Sequence, residues 1–354
     1  MVSPSAAPDA VPLLSVEDLA VAFPRDKGET VVVDGVSLSL QKGETVGVVG
    51  ESGSGKSMTA LSILRLLPEP GRVTRGAIRL NGDNLLQIPE KAMRQVRGGR
   101  IAMVFQDPMT SLNPVFTVGE QIAEAVRVHR EMRGRAAWNE AVESLRRVHI
   151  AEPERRARQY PHELSGGMRQ RVMIALALAC RPDVLLADEP TTALDVTVQA
   201  QILALIRELQ QTEGMAVLLI THDLGVVAET CDRVLVMYAG RVMETADAQT
   251  LFARPAHPYT QGLLQSLPES APPGATRLSF IPGQPPSQPG AVTGCPFRAR
   301  CPRVMPGVCE KPLPTVDLGG GQVVRCHLYT EGEEGAPSSP TEHGTMPFEG
   351  NQKP

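Results

Sequence analysis

The sequence of 354 residues predicts an α/β fold, in which strands alternate with helices around a largely parallel sheet. Two observations predict it. Short runs rich in β-branched residues alternate with longer segments of helical periodicity, and one apolar run leads into a glycine-rich loop that opens a helix. No apolar run approaches the roughly 20 residues that a membrane helix needs. At roughly 150 residues per domain, the length favours two domains.

The first strands of this sheet are predicted by segments rich in β-branched residues. They cover Leu14–Phe23, Thr30–Leu40 and Thr45–Val49, and a glycine turn separates the second from the third. At Lys56 the pattern becomes helical, and it stops at Pro68, which ends a helix.

The second part of the fold begins with residues 115–160, which are rich in Arg and Glu and have helical periodicity. Strands are then predicted at Val184–Leu186, Ala216–Ile220 and Arg233–Met237. Between the first two of these strands, one stripe of an amphipathic helix is apolar. The stripe consists of Val198, Ile202, Leu205, Ile206 and Leu209.

Composition excludes several classes of protein. The net charge is −4, so no strongly basic field indicates a nucleic-acid partner. Residues 1–11 carry no basic region or apolar core, so they are not a signal peptide, and we expect a cytosolic protein in which disulfides are rare. Residues 1–11 and 331–354 are expected to be disordered. More than half of the 31 prolines lie from Pro255 onward.

A glycine-rich loop between a strand and a helix fits the pattern G-x-x-x-x-G-K-S. Its glycines let backbone N–H groups face phosphate oxygens, and the helix start adds positive potential. Lys56 is expected to reach the β- and γ-phosphates, and the Ser57 hydroxyl to ligate Mg²⁺. The predicted nucleotide-binding residues here are Gly50, Glu51, Ser52, Gly53, Ser54, Gly55, Lys56, Ser57 and Met58.

An apolar strand that ends in two acids follows later, at Asp188 and Glu189. Asp188 is suited to hold Mg²⁺ through water. Glu189 is suited to polarise an attacking water, and positioning such a base is worth roughly 10²–10⁴ in rate. The alternative is a solvated pair of acids at a strand end.

A second phosphate-binding helix start is indicated by Ser165, Gly166 and Gly167, which open a helical segment with free N–H groups and a small hydroxyl. By themselves these residues are equally typical of an ordinary helix cap.

Together these residues resemble the nucleotide-binding subunits of ABC transporters over about residues 13–260. The motifs occur in the family's order: the phosphate loop, a glutamine loop at Gln106, the signature Leu164–Met168, the acid pair, a D-loop at residues 193–195 and a switch histidine at His222. Met168 stands where the common form of the signature has Gln.

The resemblance implies a P-loop NTPase domain at residues 12–260, with a RecA-like core, an antiparallel β subdomain and a helical subdomain at about 107–178. It implies that two subunits pack head to tail around two ATP molecules. Gln106 would then contact Mg²⁺ and sense the γ-phosphate, which His222 also contacts, and Asp195 would link the two sites. Phe23 would stack on adenine, or else be an ordinary core residue.

Other segments resemble the D-type ATPases of oligopeptide and dipeptide permeases: Phe105–Pro114, Tyr160–Glu163, Arg169–Ala175 and Pro255–Thr260. This resemblance implies an F-type ATPase partner in a heterodimer, two transmembrane permease subunits and an extracytoplasmic peptide-binding protein. It places the chain on the cytoplasmic face of the inner membrane, with residues 107–114 receiving a permease helix. Dipeptide, oligopeptide, nickel and glutathione systems use similar ATPases.

The predicted C-terminal extension, residues 261–330, contains four cysteines in the pattern C-x5-C-x7-C-x16-C: Cys295, Cys301, Cys309 and Cys326. A short proline-rich segment builds little core, so a metal is a reasonable staple. Four thiolates suit an iron–sulfur cluster or Zn²⁺, and the resemblance favours [4Fe–4S]. His327 is an alternative ligand, and unligated thiols are a third interpretation.

The function expected from these observations is that of an ATPase that drives peptide import. A soluble ABC-type ATPase acting on nucleic acid is disfavoured by the net charge and by the lack of a long coiled-coil insertion or second cassette. A redox or metal sensor in the cysteine segment is a hypothesis that is compatible with transport.

Overall fold

The computed structural model describes residues 11–26, 28–107, 111–192, 194–270, 279–286 and 292–330. The chain forms two compact units. The first unit comprises Met1–Val16, Leu38–Thr45 and Ala77–Leu219, and the second comprises Glu17–Ser37, Val46–Gly76 and Ile220–Pro354. The expectations of disorder at residues 1–10 and 331–354 lie outside the described residues.

The strands in the described part of the chain are β1 (Leu14–Pro24), β2 (Glu29–Leu40), β3 (Thr45–Val49), β4 (Arg72–Leu80), β5 (Asp83–Asn84), β6 (Ile101–Val104), β7 (Val184–Asp188), β8 (Ala216–Ile220), β9 (Arg233–Tyr238), β10 (Arg241–Asp247), β11 (Val316–Gly319) and β12 (Gln322–Val324).

The α-helices there are α1 (Lys56–Ile63), α2 (Glu90–Val96), α3 (Val118–His129), α4 (Gly134–Arg147), α5 (Pro153–Arg156), α6 (Gly166–Leu178), α7 (Val196–Glu213), α8 (Leu224–Thr230), α9 (Ala248–Ala253) and α10 (Pro258–Gln265). Short 3₁₀ helices lie at Pro161–Glu163, Pro268–Ser270, Arg298–Arg300 and His327–Tyr329.

The first unit is built on parallel strands covered by helices. Its strand order is β8-β7-β6, and β6 and β7 run parallel with Val104 opposite Ala187. Every residue of β6 and β7 is buried, as expected for strands with helices packed on a parallel sheet. Helices α3, α4 and α6 pack against one another, and α6 also contacts β6 and α7.

The second unit contains both parallel and antiparallel strands, in the order β11-β12-β10-β9-β3. β3 and β9 are parallel, with Val49 opposite Val236, whereas β10 pairs antiparallel with both β9 and β12. Strands β11 and β12 come from the predicted C-terminal extension, and β12 adds to the sheet with Val324 opposite Glu244. The sequence patterns above did not predict β10, β11 or β12.

A four-stranded sheet has the order β2-β1-β4-β5. Each of its three long strands contributes residues to both units. The predicted strands at the start of the chain are confirmed to within two residues at every end, because alternating β-branched residues bounded by turns specify a strand locally.

The apolar stripe predicted for the helix after Asp188 is confirmed in α7, where its last four members are buried and Val198 is half-buried. None of the helices among the described residues is long and apolar enough to cross a membrane.

Candidate functional site

The phosphate loop lies between the end of β3 and the start of α1, within the second unit. Gly50 has a φ of 150°, and a Cβ there would lie 2.1 Å from the Met237 carbonyl oxygen. Gly55 has a φ of 101°, and a Cβ there would lie 2.9 Å from the Val32 carbonyl oxygen. Only glycine tolerates both the backbone conformation and the close approach, so these two residues are required by the turn itself.

The Lys56 ammonium lies at the centre of this loop, and the side chain is only 6% exposed. Its Nζ donates to the carbonyl oxygens of Gly50 and Glu51 at 2.7 and 3.0 Å and to Ser54 Oγ at 3.4 Å. Helix α1 starts at Lys56 without a side-chain cap. A cation and a helix start together produce the positive potential that a phosphate needs.

Glu51, in the same loop, is held by residues from the far end of the chain. Its backbone N–H donates to Tyr259 Oη at 2.9 Å, and its carboxylate accepts two bonds from the Arg300 guanidinium. Sequence reasoning missed Arg300 altogether. Tyr259 belongs to the Pro255–Thr260 segment that resembles the peptide permease ATPases, which was the only signal available for it.

In the first unit, Gln106 and Glu189 meet beyond the carboxyl ends of β6 and β7. Since Val104 pairs with Ala187 in these parallel strands, Gln106 lies opposite Glu189, and its Nε2 donates to Glu189 Oε2 at 3.0 Å. The Thr192 hydroxyl donates to the same oxygen at 2.9 Å. The structure therefore brings two predicted residues together and adds Thr192, which no motif indicated.

The acid pair itself differs in environment. Asp188 ends β7 and is 7% exposed, whereas Glu189 is half-buried with a φ of 47°. A left-handed conformation is costly for a residue with a side chain and is found preferentially at functional sites. The two acids thus differ in burial and backbone conformation, which fits separate roles for them.

The signature residues begin α6 in the first unit. Ser165 is the N-cap residue, and its side chain accepts a bond from the Met168 backbone N–H at 3.4 Å. A Cβ at Gly167 would lie 3.1 Å from Val198 Cγ1 of α7. The helix-cap interpretation thus describes the local structure, and phosphate binding by Ser165, Gly166 and Gly167 stays a prediction.

Three further residues were assigned from the resemblance alone. Asp195 is the N-cap residue of α7 and accepts from the Val198 N–H at 2.9 Å. His222 is exposed, directly before the short α8. Phe23 is half-buried, and its ring lies so close to Gly71 that a Cβ there would be 2.6 Å away. Their nucleotide roles stay predictions.

The metal prediction for the cysteine segment is wrong. Within the described ranges, which include Cys295, Cys301, Cys309, Cys326 and the alternative ligand His327, no group of three or more His, Cys, Asp or Glu could hold a metal ion. All four thiols are free. The [4Fe–4S] cluster and its Zn²⁺ alternative, as cofactors and as keywords, therefore have no support.

The physical reason is burial. Cys326 belongs to an apolar cluster with Ala256, Val324 and Leu328. Burial raises the pKa of Cys326, and likewise that of Cys301, to about 12, and it also raises the pKa of the Cys295 thiol. The uncharged thiol is therefore the favoured form of Cys295, Cys301 and Cys326 in this structure. Cys326 is a packing residue of the apolar cluster.

Comparisons with known proteins identify the chain. A family profile described as "ABC transporter" matches residues 33–192, and one described as "Oligopeptide/dipeptide transporter, C-terminal region" matches residues 243–309. The "Probable peptide ABC transporter ATP-binding protein y4tR" of Sinorhizobium fredii is 54% identical over 326 residues, which are 92% of this chain and 97% of that protein. The chain belongs to the ABC transporter family.

Other relatives of this ABC transporter protein agree. The "Oligopeptide transport ATP-binding protein OppD" of Escherichia coli is 49% identical over 93% of this chain and 96% of its own length. Among solved structures, the dimeric ATP-binding cassette MJ0796 bound to ADP and Pi superposes with a TM-score of 0.60 and 28% identity, covering 66% of this chain and 98% of that one. The ATP-binding cassette fold is thereby confirmed, and the chain is an ATPase of this family.

The predicted F-type partner is not supported. OppD and the "Dipeptide transport ATP-binding protein DppD" of Escherichia coli, which match over nine-tenths of this ABC transporter ATPase, carry D-type names, and those names describe no heterodimer with an F-type ATPase. The C-terminal match likewise describes the oligopeptide/dipeptide transporter region of a single chain. The predicted head-to-tail heterodimer with an F-type subunit is therefore wrong on these findings.

Proposed function

We propose that this ABC transporter ATPase powers the import of di- or oligopeptides, coupling ATP hydrolysis to passage of the solute through membrane permease subunits. One observation carries the ATPase part: a buried Lys56 ammonium sits within a glycine-rich loop at a helix start. A loop of this geometry suits the triphosphate of ATP, since its N–H groups and one cation face the same anion.

In this proposal the nucleotide lies on the phosphate loop, from Gly50 to Met58. Lys56 binds the β- and γ-phosphates, and the glycines let the backbone approach them closely. Phe23 is proposed to stack on the adenine. Ser165, Gly166 and Gly167 form a second phosphate-binding helix start, and Asp195 belongs to the loop that connects nucleotide sites.

The proposed Mg²⁺ ligands are Ser57, Gln106 and Asp188, the last through water. Their donor atoms are a hydroxyl, an amide oxygen and a carboxylate, which is the oxygen chemistry that Mg²⁺ prefers. When bound, the ion would neutralise charge on the phosphates.

Glu189 is the proposed general base. Its carboxylate orients a water for in-line attack on the γ-phosphorus and accepts the water's proton as the bond to the β-phosphate oxygen breaks, leaving ADP and inorganic phosphate. The bonds from Gln106 Nε2 and Thr192 Oγ1 to one carboxylate oxygen hold the Glu189 side chain in position. His222 is proposed to contact the γ-phosphate.

The solute class is supported by the relatives. The y4tR protein is named for peptide transport and OppD for oligopeptide transport, and the C-terminal match covers residues 243–309. We propose the cytoplasmic face of the membrane as the place of action, because an ATPase that drives import must reach both cellular ATP and the permease.

The test of nucleotide binding is Lys56→Ala. We expect its affinity for a fluorescent ADP analogue to fall about 10- to 100-fold, since it loses charge-assisted bonds to phosphate. Lys42→Ala, which removes an exposed lysine from the turn before β3, is the control with unchanged affinity. Equal affinity of Lys56→Ala and wild type would refute the phosphate-loop interpretation.

The solute is tested by reconstituting the protein with its co-purified membrane partners in vesicles. ATP-dependent uptake of labelled di- or oligopeptides is the expected result. Uptake of nickel or glutathione but not of peptides would contradict the proposed solute class and leave the ATPase function intact.

A further inference from the structure

One loop residue is held by two side chains of the C-terminal part of the chain. Arg300 Nη1 and Nη2 lie 2.7 and 3.0 Å from the two carboxylate oxygens of Glu51, a bidentate pair in which the arginine side chain is only 6% exposed. Tyr259 Oη accepts the Glu51 backbone N–H at 2.9 Å. Both the backbone and the side chain of Glu51 are therefore specified from outside the loop.

Arg300 is also held in place by hydrogen bonds to groups other than Glu51. Its Nε donates to the Pro282 carbonyl oxygen at 2.9 Å, and its Nη2 donates to the Ile281 carbonyl oxygen at 3.1 Å. Its Nη1 also donates to Tyr238 Oη at 3.2 Å. A planar guanidinium held by several acceptors loses little further freedom on binding a carboxylate, so the pair is stiff.

Three fully buried rings join these elements. Tyr238 ends β9, Tyr259 lies in the first turn of α10, and Phe297 precedes the 3₁₀ turn that contains Arg300. Their centroids lie 4.7 to 5.3 Å apart in tilted and edge-to-face arrangements, which are the favourable geometries for aromatic pairs. The segment that carries Arg300 thus packs through Phe297 on Tyr259, which binds Glu51.

The charge of Glu51 explains why such a contact is needed. A carboxylate in a loop that binds a polyanion repels its ligand unless a cation neutralises it. Arg300 supplies that cation and binds both carboxylate oxygens. Without it, Glu51 would compete for the loop's own donors.

We propose that Arg300 and Tyr259 are positioning residues for ATP, and that the C-terminal extension is thereby an energetic part of the nucleotide site. This inference rests on the proposed nucleotide site. Coupling is reciprocal, so nucleotide bound at the loop stabilises the extension through the same contacts.

The first experiment measures the affinity of the full-length protein for a fluorescent ADP analogue. Arg300→Met keeps the length of the side chain and removes its charge, and we expect about tenfold weaker binding. Tyr259→Phe removes only the acceptor hydroxyl, and we expect a loss of about threefold. Arg298→Met is the matched control, because Arg298 lies in the same 3₁₀ turn but bonds to the carbonyl oxygens of Thr293 and Cys295.

The second experiment measures the coupling itself. Site-resolved alkylation of Cys295, Cys301, Cys309 and Cys326 is followed by mass spectrometry with and without ADP, and Cys180 of the first unit serves as reference. We expect ADP to slow alkylation of the extension cysteines in wild type and in Arg298→Met. The slowing should be lost in Arg300→Met and Tyr259→Phe at ADP concentrations that saturate each variant.

If Arg300 and Tyr259 act only in folding, their variants have a shifted unfolding midpoint, but ADP still slows cysteine alkylation in the folded variants. That result would overturn the inference. Affinities of Arg300→Met and Tyr259→Phe for the ADP analogue within twofold of wild type would also overturn it.

If Arg300→Met does not fold, Tyr259→Phe and Arg300→Lys are used for the test. If Lys56→Ala loses ADP binding while these variants keep it, only the positioning role fails. If wild type binds no ADP, the proposed function fails.

Discussion

The phosphate loop and the cysteine segment, residues 295–326, belong to the same unit, but different forces give them their shape. The loop consists of consecutive residues whose glycines impose the turn, with the Lys56 ammonium at its centre. In the cysteine segment Cys295, Cys309 and Cys326 are buried, and Cys326 packs in an apolar cluster. The loop thus presents charge for a ligand, whereas these thiols are withdrawn from solvent.

The two regions also contribute differently to the proposed nucleotide site. The phosphate loop supplies hydrogen-bond donors to the phosphates directly. The cysteine segment contributes through Arg300, a residue between two of its cysteines that carries no motif. Its effect on the loop comes from one ion pair across 249 positions of sequence. Charge placed by tertiary contact, and not thiol chemistry, makes this segment functional.

The largest expected difference between the two regions is in the rate of ATP hydrolysis. Glu189→Gln should lower kcat by roughly 10²–10⁴ because the amide no longer accepts the water's proton, while ADP affinity is retained. Cys309→Ala, which removes a buried thiol from the cysteine segment, should keep kcat within about twofold. Both are measured as phosphate release at saturating ATP. Near-normal turnover of Glu189→Gln would remove Glu189 from its role.

The next effect concerns thiol reactivity. Burial raises the pKa of Cys326 from 9.0 to about 12, and the thiolate fraction at pH 8 falls about tenfold per unit. Its alkylation in the folded protein should therefore be about a thousandfold slower than after denaturation in urea. Rapid alkylation of folded protein at pH 8 would contradict the raised pKa, and stoichiometric iron or zinc in protein purified without oxygen would contradict the metal-free interpretation of the segment.

A third effect, on stability, tests how the extension is held. Glu244 is 1% exposed and accepts bonds from the backbone N–H groups of Ala256 and His257 and from Gln322 Nε2, at 2.8 to 2.9 Å. Glu244→Ala leaves these buried donors unpaired and should cost about 3 kcal/mol of unfolding free energy, measured in urea. Glu310→Ala, at an exposed acid, is the control with no measurable change.

The same residue predicts a pH dependence. Burial raises the pKa of Glu244 above its ordinary 4.5, so the folded state binds the proton more tightly than the unfolded chain. The free energy of unfolding should therefore fall as the pH rises from about 4.5 towards the raised pKa. Glu244→Gln lacks this contribution, so the difference between its pH profile and that of wild type isolates it. Parallel profiles would contradict the assignment.

The smallest expected effect is on stability and concerns Asp195, which is interpreted either as a helix cap or as a residue that links nucleotide sites. Asp195 caps α7 by accepting from the Val198 N–H, and Asp195→Ala should cost about 1 kcal/mol of unfolding free energy. Asp195→Asn keeps a capping oxygen and should restore most of it. If Asn restores stability but not ATP turnover, the carboxylate has a role beyond the cap. If it restores both, capping accounts for the residue.

Much of the fold was accessible from the sequence because its signals are local. The strand at Thr45–Val49 and the helix that starts at Lys56 follow from residues next to one another. In contrast, the contact between Gln106 and Glu189 was not predicted, because the strand β6 that positions Gln106 was not recognised in the sequence. Likewise, β11 and β12 are short and pair with each other, and the pairing of β12 with β10 depends on a partner some 80 residues earlier.

By itself, then, the sequence determined the α/β fold, the phosphate loop and the acid pair, because glycine conformation, strand alternation and helix starts act over a few neighbouring residues. Only the tertiary structure decided that Cys326 packs in an apolar cluster and that Arg300 binds the Glu51 carboxylate. Burial and ion pairing depend on which distant segments meet. The sequence alone does not show whether a thiol or a guanidinium lies in an apolar cluster, on a carboxylate or in water.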